Sequence, residues 1–466
     1  MALIANIHIR SEMNPRLAHL VLGVLLMLLL ALPAAASDEA PGDDGPELTL
    51  EQVVQAALDN SPGIAASQED VAVADAQLSQ TKSAYWPQLG VQSGYQRQWY
   101  ENSRQALAQG GSGGQYNTYG NSLSVSQYLY DFGQTPGRVE RSRQSLLATQ
   151  KGLVKTQADV VRDAKNAYFE ILKQEELVTV YETSLRVQRE HLRQAQAYYD
   201  SGLKARLDVT NAEVAVANTQ LQLIQARYAL STASVNLETI LGGPPVAGPY
   251  RLATLPEFQE EPPPLGQLLQ EALGQRPEVG SLQALRLAAL AQLDSARGGY
   301  FPSLNANASY LYSNADFPLQ EGWLVGASLN WPLFNGFKTQ GSVSEARAGL
   351  RKVEAQIRQL ELSVKQDVSV ALLGVKQTGE ATATARLALR QAQENMDLAD
   401  GRWKAGVGSP IEYSDAQYLL TQAKGNLVQS IYLRWQAYAN LERARGPEVR
   451  VANTGRPQAG AANTGR

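Results

Sequence analysis

The sequence predicts an α+β fold in which one unit is used twice, each copy carrying a β-hairpin and a long helical hairpin. Residues 50–242 and 265–446 match one another at constant spacing. Each copy holds two stretches in which apolar and polar side chains alternate, the period of a strand. Each copy also holds a proline-free stretch of about sixty residues whose apolar positions recur at steps of three, four and seven, the period of a helix packed along a stripe.

The spacing orders the unit. Ala57, Leu58 and Pro62 return as Ala272, Leu273 and Pro277, and Tyr85-Trp86-Pro87-Gln88-Leu89 returns as Tyr300-Phe301-Pro302-Ser303-Leu304, all at an offset of 215. Leu129-Tyr130-Asp131 returns as Leu333-Phe334-Asn335 at 204, and the same 204 carries Gly202, Ala212, Asn236 and Gly242 onto Gly406, Ala416, Asn440 and Gly446. The single change, between Leu89 and Leu129, marks that segment as a surface loop. A period near 200 residues means a duplicated domain rather than a solenoid. The divisions are then 1–36, 37–242, 243–264, 265–446 and 447–466.

The chain of 466 residues carries a net charge of −4 and no cysteine. The acidic balance argues against a partner bound through phosphates, so no nucleic acid is expected. Residues 1–36 read as a secretory signal: Arg10 and Arg16, an apolar run from Leu20 to Leu32, then Ala34-Ala35-Ala36. The run is shorter than the ~20 residues of a spanning helix, so a membrane anchor is the weaker alternative. Met13 is a second candidate start. Cleavage after Ala36 leaves His191 as the one histidine and no cysteine to lipidate.

In the first copy a helix over about Ser61–Ser83 leads into a β-hairpin, 86–132. Leu89, Val91, Tyr95 and Trp99 share one face of its first strand, with Gln88, Gln92, Gln96 and Gln98 on the other. Leu123, Val125 and Leu129 oppose Ser122, Ser124 and Ser126 in the second. The connecting loop, Glu101–Tyr119, contains Gly110-Gly111-Ser112-Gly113-Gly114, which lacks the Lys-Ser/Thr of a phosphate loop and reads as flexible connection. A helical hairpin, 134–242, follows. Val161, Ala164, Tyr168, Ile171, Val178, Tyr181, Leu185 and Leu192 form its stripe, and a helix over Arg138–Ser201 would be ~96 Å long. It ends at Gly202, a left-handed C-cap, and a shorter helix returns. Two shorter helices, one before the β-hairpin and one returning, together match the long one, so they are expected to stack end to end beside it.

Residues 243–264, with seven prolines, read as a linker. The second copy repeats the order: a helix over about Glu278–Gly298, a β-hairpin over 301–335 and a helical hairpin over 338–446. Leu304, Ala306, Ala308, Tyr310 and Tyr312 share a face, as do Trp323, Val325, Ala327, Leu329 and Trp331. The second long helix, about Ser342–Ala405, contains Gly349, Gly374, Gly379 and Gly401, which weaken its regularity without setting an end. The tail 447–466 repeats Ala-Asn-Thr-Gly-Arg and reads as disordered.

Alternation over about ten residues with aromatics towards the ends is the pattern of a membrane β-barrel strand, though a half-buried soluble sheet shares it. The helices leave no spare apolar element to cover such a sheet. Four strands cannot close a barrel, and open edges are not tolerated in lipid, so closure needs several chains. Three copies give twelve strands; two or four remain open on these grounds. On the barrel reading Tyr95, Trp99, Tyr310, Tyr312, Trp323 and Trp331 form a lipid-facing belt.

In these features the chain resembles the TolC family of outer-membrane efflux and secretion channels, over about residues 50–446. The marks are the twofold repeat, the aromatic-Pro-x-Leu strand starts (Trp86-Pro87-Gln88-Leu89 and Phe301-Pro302-Ser303-Leu304), the strand ends Leu129-Tyr130-Asp131-Phe132-Gly133 and Leu333-Phe334-Asn335-Gly336, and the helical turns Gly202 to Ala212 and Gly406 to Ala416. The resemblance implies a homotrimer: a twelve-stranded outer-membrane β-barrel continuing into a periplasmic α-helical barrel whose tips meet an inner-membrane transporter through a periplasmic adaptor. Drugs, metals and secreted proteins all stay open as cargo. A periplasmic coiled-coil adaptor without a barrel is the alternative.

Two sets of residues bear on function. Asp208-Val209-Thr210-Asn211 and Glu412-Tyr413-Ser414-Asp415 open the returning helices, and a spacing of three puts both polar groups of each on one face. The resemblance implies that Glu412 and Asp415, with Asp208 and Asn211 beside them, ring a periplasmic constriction and select for cations. Ser409-Pro410-Ile411-Glu412 is equally a capping box, so both roles stand. The turn residues Gly202, Leu203, Gly406, Val407 and Gly408 are candidates for adaptor contact, although turn geometry alone explains the glycines. No nucleophile elbow, metal-ligand pair or phosphate loop is present, so neither an enzyme nor a cofactor is expected.

Overall fold

A computed structural model describes residues 46–100, 114–245, 250–256, 258, 261–314 and 317–446. The expected signal over 1–36, most of the first loop and the tail 447–466 lie outside the described residues. Contacts divide the chain into two units. The smaller takes in 1–46 and 248–251, of which Pro46, Tyr250 and Arg251 are described; everything below concerns the larger, 47–247 and 252–466.

The first copy runs α1 (Leu50–Asn60), α2 (Pro62–Lys82), β1 (Gln88–Tyr100), β2 (Gly114–Tyr130), α3 (Gln134–Asp200) and α4 (Arg206–Leu241). The second runs α5 (Leu265–Gln275), α6 (Pro277–Gly298), β3 (Ser303–Asn314), β4 (Gln320–Asn330), α7 (Lys338–Lys404) and α8 (Pro410–Arg445). Local chemistry explains the breaks. Thr49 and Gln52 cap α1 reciprocally. Pro62 and Pro277 each open a new helix at N1, where the missing N–H costs nothing, so α1/α2 and α5/α6 are separate rods.

Helices α3 and α7 are both 67 residues, about 100 Å, and α4 and α8 are both 36. The second long helix is continuous: α7 runs unbroken through Gly349, Gly374, Gly379 and Gly401. A Cβ at any of the four would meet open space, so each costs only the ~1 kcal/mol of helical glycine, which packing along the rest of the helix offsets.

The helices pack in two levels that share α3 and α7. At one level the lateral order is α2, α3, α6, α7; at the other it is α4, α3, α8, α7. The shorter helices therefore meet end to end beside the long ones, as their lengths require. The α4–α2 junction is tight: Gly242 adopts φ +77°, and a Cβ there would lie 2.6 Å from the Asn60 carbonyl oxygen. Near the other junction Arg443 of α8 donates to Asp159 of α3 at 2.6 Å and to Glu278 of α6 at 2.5 Å, and Arg276 reaches Asp367 of α7 at 3.0 Å. Burial would raise the carboxyls of Asp159 and Glu278, but the hydrogen bonds and charge of Arg443 outweigh it and hold both below the ordinary range. A small apolar cluster at this level joins Leu268 and Ala272 of α5 to Val364 and Val368 of α7 and Leu441 of α8.

The four strands form one antiparallel sheet in chain order, β1-β2-β3-β4. Leu89 faces Val125, Val125 faces Ala308 and Ala308 faces Val325, so one row of apolar residues crosses the whole sheet on a single face. Two expectations are corrected. The first loop is shorter than Glu101–Tyr119, because β2 begins at Gly114. Leu129 does not continue the face of Leu123 and Val125: it is the extra residue of a bulge between Tyr128 and Tyr130, and Tyr130 takes the place opposite Leu304.

Candidate functional site

Both hairpin turns are built alike. In the first, Gly202 has φ +74°, its N–H donates to the Tyr199 carbonyl, and the Leu203 N–H donates to the Tyr198 carbonyl. In the second, Gly406 has φ +75°, its N–H donates to the Trp403 carbonyl, and the Val407 N–H donates to the Arg402 carbonyl. These are Schellman caps, which need a residue tolerant of left-handed backbone. A Cβ on Gly408 would fall 2.8 Å from the Trp403 nitrogen, so a second glycine is required there. Leu203 and Val407 are left 71% and 69% exposed at the turns.

Beyond the turns the hairpins differ. Ser409 accepts from the Ile411 N–H at 3.1 Å, while Glu412 accepts from the Ser409 N–H at 3.4 Å and from Arg402 Nε at 3.3 Å. Glu412 is thus a cap and an ion-pair partner. Asp415 is exposed, one turn further along. It shares a cleft with Asn211 of α4, so the structure brings these two together, while Glu412 turns to α7. Asp208 lies in the first turn of α4, whose N-cap, Ala205, offers no side-chain bond.

His191, to which the sequence assigns no role, sits beneath this region. It is buried on α3, its ring stacked on Tyr413 at 4.5 Å and beside Trp403 at 5.3 Å. Neither ring nitrogen has a hydrogen-bond partner. Burial pushes its pKa below the ordinary value, against the opposing charge of Asp208. Lys204 lies 5.3 Å from the Trp403 ring centre, and Trp403 Nε1 donates to Gln194 Oε1 at 3.5 Å. The signal in the sequence was there: Ser184, Gln188, His191 and Ala195 follow helical stripe spacing and all four are buried.

The second candidate surface is the sheet. Tyr95, Trp99, Tyr310, Tyr312 and Trp323 lie on its apolar face, and Trp331 follows β4 directly. Tyr310 faces Trp323, and its hydroxyl donates to Glu321 at 2.7 Å. Tyr95 donates to Asn117 at 2.9 Å, and Trp331 Nε1 to the Tyr300 carbonyl at 3.2 Å. A second aromatic group, Tyr130, Phe132 and Phe301, lies near the Trp331 end, with Phe132 stacked on Phe301 at 5.3 Å. Val91 and Val325 are exposed, and no helix among the described residues covers this face. The opposite face carries Gly90, Gly94, Gly120, Gly322 and Gly326 among mostly Ser, Asn and Gln, with Leu311 and Leu324 as apolar members. No described helix is long and apolar enough to cross a membrane. No cluster of three metal-ligating side chains occurs among the described residues.

The family model for outer membrane efflux proteins matches residues 53–243 and 268–447. The toluene efflux pump outer membrane protein TtgC of Pseudomonas putida is 24% identical over 425 residues, 89% of this chain and 87% of that protein. The outer membrane protein TolC of Escherichia coli is 23% identical over 418 residues, 85% of this chain and 82% of that one. Among solved structures, the outer membrane channel CmeC of Campylobacter jejuni superposes with a TM-score of 0.76 at 17% identity, covering 88% of this chain and 90% of the other.

Proposed function

Because this chain belongs to the family of outer membrane efflux proteins, we propose that three copies close into the exit channel of a tripartite export system. Each copy supplies four strands of a twelve-stranded barrel and a sector of a periplasmic helical barrel. The observation that carries this reading is that the sheet and the helical layer both stop at open edges. Among the described residues β1 and β4 have pairing partners on one side only. On the helices, α4 presents Leu207, Val214, Leu221, Tyr228 and Val235, every seventh residue, all exposed, and α7 at the far edge presents Leu362, Val370, Leu373, Leu387 and Leu398. A heptad stripe on an edge helix is a seam for another helix. Joining copies edge to edge sets β4 antiparallel to β1 and α7 beside α4 in one operation, and twelve strands exceed the roughly eight needed for a barrel.

The apolar sheet face then meets lipid and the glycine- and amide-rich face lines the lumen. Trp323 and Trp331 stand about 27 Å apart along the strand and about 21 Å apart after a ~40° tilt, near the ~25 Å apolar band of such barrels. The aromatic belt fits the two interfaces. That uncovered face disfavours the alternative of a soluble adaptor, which needs no such surface. The turns, with Leu203 and Val407 outermost, contact a periplasmic adaptor that links the channel to an inner-membrane transporter. Asp415, with Glu412, Asp208 and Asn211 near it, sets the charge of the constriction.

The test is the mass of the detergent-purified protein from the outer-membrane fraction. A trimer is expected; a soluble monomer would overturn the reading. A face test accompanies it: Val125→Arg should cost ~2–4 kcal/mol near mid-membrane, while Ser124→Arg is tolerated.

A further inference from the structure

The cleft shared by Asn211 and Asp415 holds a feature that the exit-channel reading does not use. Its volume is about 400 Å³, its floor is α3 and its walls are α4 and α8. Gln188 reaches the floor, is only 4% exposed, and its Oε1 has no hydrogen-bond partner. Buried acceptors are nearly always satisfied, so an unpaired one at the base of an open cleft marks a place for a donor. The walls add Asn211, Asn218 and Gln222 from α4, and Asp415 and the Tyr418 ring from α8. Three other clefts between helices are each lined by Arg or Lys: Arg186 and Arg189 in one, Arg390 and Lys424 in the second, Arg358 and Lys365 in the third. The Gln188 cleft has no cationic side chain.

We propose that this cleft binds a small alkyl polyamine, which bridges the α3–α4 hairpin to α8 and holds the two in their present arrangement. A protonated amine supplies what the cleft lacks: several N–H donors and positive charge, on a thin flexible chain. Gln188 Oε1, sealed beneath the floor as it stands, accepts from one terminal ammonium once the amide turns into the cleft; the amide oxygens of α4 take further N–H groups, Asp415 balances the charge, and the Tyr418 ring offers a face for a cation. A bare divalent metal fits poorly, since one carboxylate among neutral amides is a weak ligand set. An anion would find no positive partner.

Binding needs no channel; only the expected block of conductance rests on the exit-channel reading. Spermidine is titrated calorimetrically into the detergent-purified full-length protein, at constant ionic strength. Saturable binding at one site per chain is expected, with no equal heat from magnesium. Gln188→Leu should weaken it at least tenfold while leaving the melting temperature at or above that of the parent, because it removes an unpaired buried acceptor. Gln222→Ala, on the exposed wall, should weaken it severalfold and serves if Gln188→Leu fails to fold. Glu140→Gln, far from the cleft on α3, should leave the affinity unchanged, and Glu412→Gln, one turn outside the cleft, should weaken it less than Gln188→Leu. Spermidine should reduce conductance in planar bilayers, and Gln188→Leu should relieve this. Absence of saturable binding overturns the proposal. So does weakening by Glu412→Gln with no effect of Gln188→Leu or Gln222→Ala, since binding would then reflect the acidic residues alone. Binding that Gln188→Leu weakens, in a protein showing no conductance, upholds the cleft and counts against the channel.

Discussion

The two hairpin turns share a backbone and differ in almost everything attached to it. Both end a 67-residue helix at a left-handed glycine with the same pair of cap bonds. Around the first turn Ala195, Val209 and Ala212 form a small cluster, and α4 starts at Arg206 behind Ala205, an N-cap with no side-chain bond. Around the second, Met396, Ala399, Trp403, Tyr413 and Leu420 pack together, His191 joins from the other hairpin, and α8 starts with proline and a complete capping box. The turn, which backbone geometry dictates, is the same in both hairpins. The side chains differ: one hairpin is tightly tied and the other is light. The second hairpin and α3 are therefore expected to move as one body, while the first turn frays more easily.

The sharpest way to break this contrast is to empty the larger cluster. Trp403→Ala should cost about 3–5 kcal/mol in denaturant unfolding, because it removes a buried indole touching His191, Tyr413 and Tyr198. Tyr199 stands at the equivalent place in the first hairpin and is 36% exposed, so Tyr199→Ala should cost less than about 1 kcal/mol. Equal losses would show that the two turns are held alike.

Acidification comes next in size. The folded state holds His191 neutral, with its pKa lowered from 6.5. The unfolded chain therefore binds more protons between 6.5 and the depressed folded value, so stability falls as pH falls through that window, by at most about 1.4 kcal/mol per pH unit. The facing groups are Tyr413 and Trp403, with Asp208 opposing the shift. Melting curves at stepped pH should show this slope, and His191→Gln should remove it. Below that window Asp159 and Glu278 add their own loss: their folded pKa values are depressed, so their contribution is present above the ordinary carboxylate value of 3.8–4.5 and disappears as pH drops beneath it.

What could be read in the sequence followed locality. The strands, their apolar face and the turn glycines obey rules that act within a few residues, and the residue pattern carried them. Leu129 was misplaced because a bulge shifts the parity of the strand by one residue, and Leu-Tyr-Asp reads equally well in either register. The glycines of α7 do not break it because propensity is a weak force beside packing along a helix of that length. Gln188 and His191 are polar residues on a buried stripe, and only the approach of α8 and α7 across some 210–235 residues of chain decides that they are buried. The role of Glu412 was open for a related reason: its cap partner is local, but Arg402 reaches it from the other side of the turn.

A smaller stability effect tests the caps. Ser409→Ala should cost about 1 kcal/mol by freeing the first N–H groups of α8, whereas Ala205→Ser should add a cap that α4 lacks and gain several tenths of a kcal/mol. Hydrogen exchange at the two helix starts would show which responds; no change at either would mean that the turns alone hold these ends.

The smallest expected change in stability carries the largest functional reading. Glu412→Gln keeps an oxygen for the Ser409 N–H and loses only an exposed ion pair with Arg402, so the helix start should change by no more than about 0.5 kcal/mol. Asp415→Asn removes an exposed charge that no bond holds in place. Combined, they neutralise two carboxylates per chain, six in the proposed trimer, at little cost to the fold. If those charges face the pore, the double variant should weaken cation selectivity and block by multivalent cations in planar bilayers. The corresponding change in the first hairpin, Asp208→Asn, should move selectivity less, because Asn211 stands where the second hairpin has Asp415. Unchanged selectivity in the double variant, with the small loss of stability intact, would leave Glu412 as a cap and Asp415 as a wall of the polar cleft, and would move the constriction elsewhere along the helices.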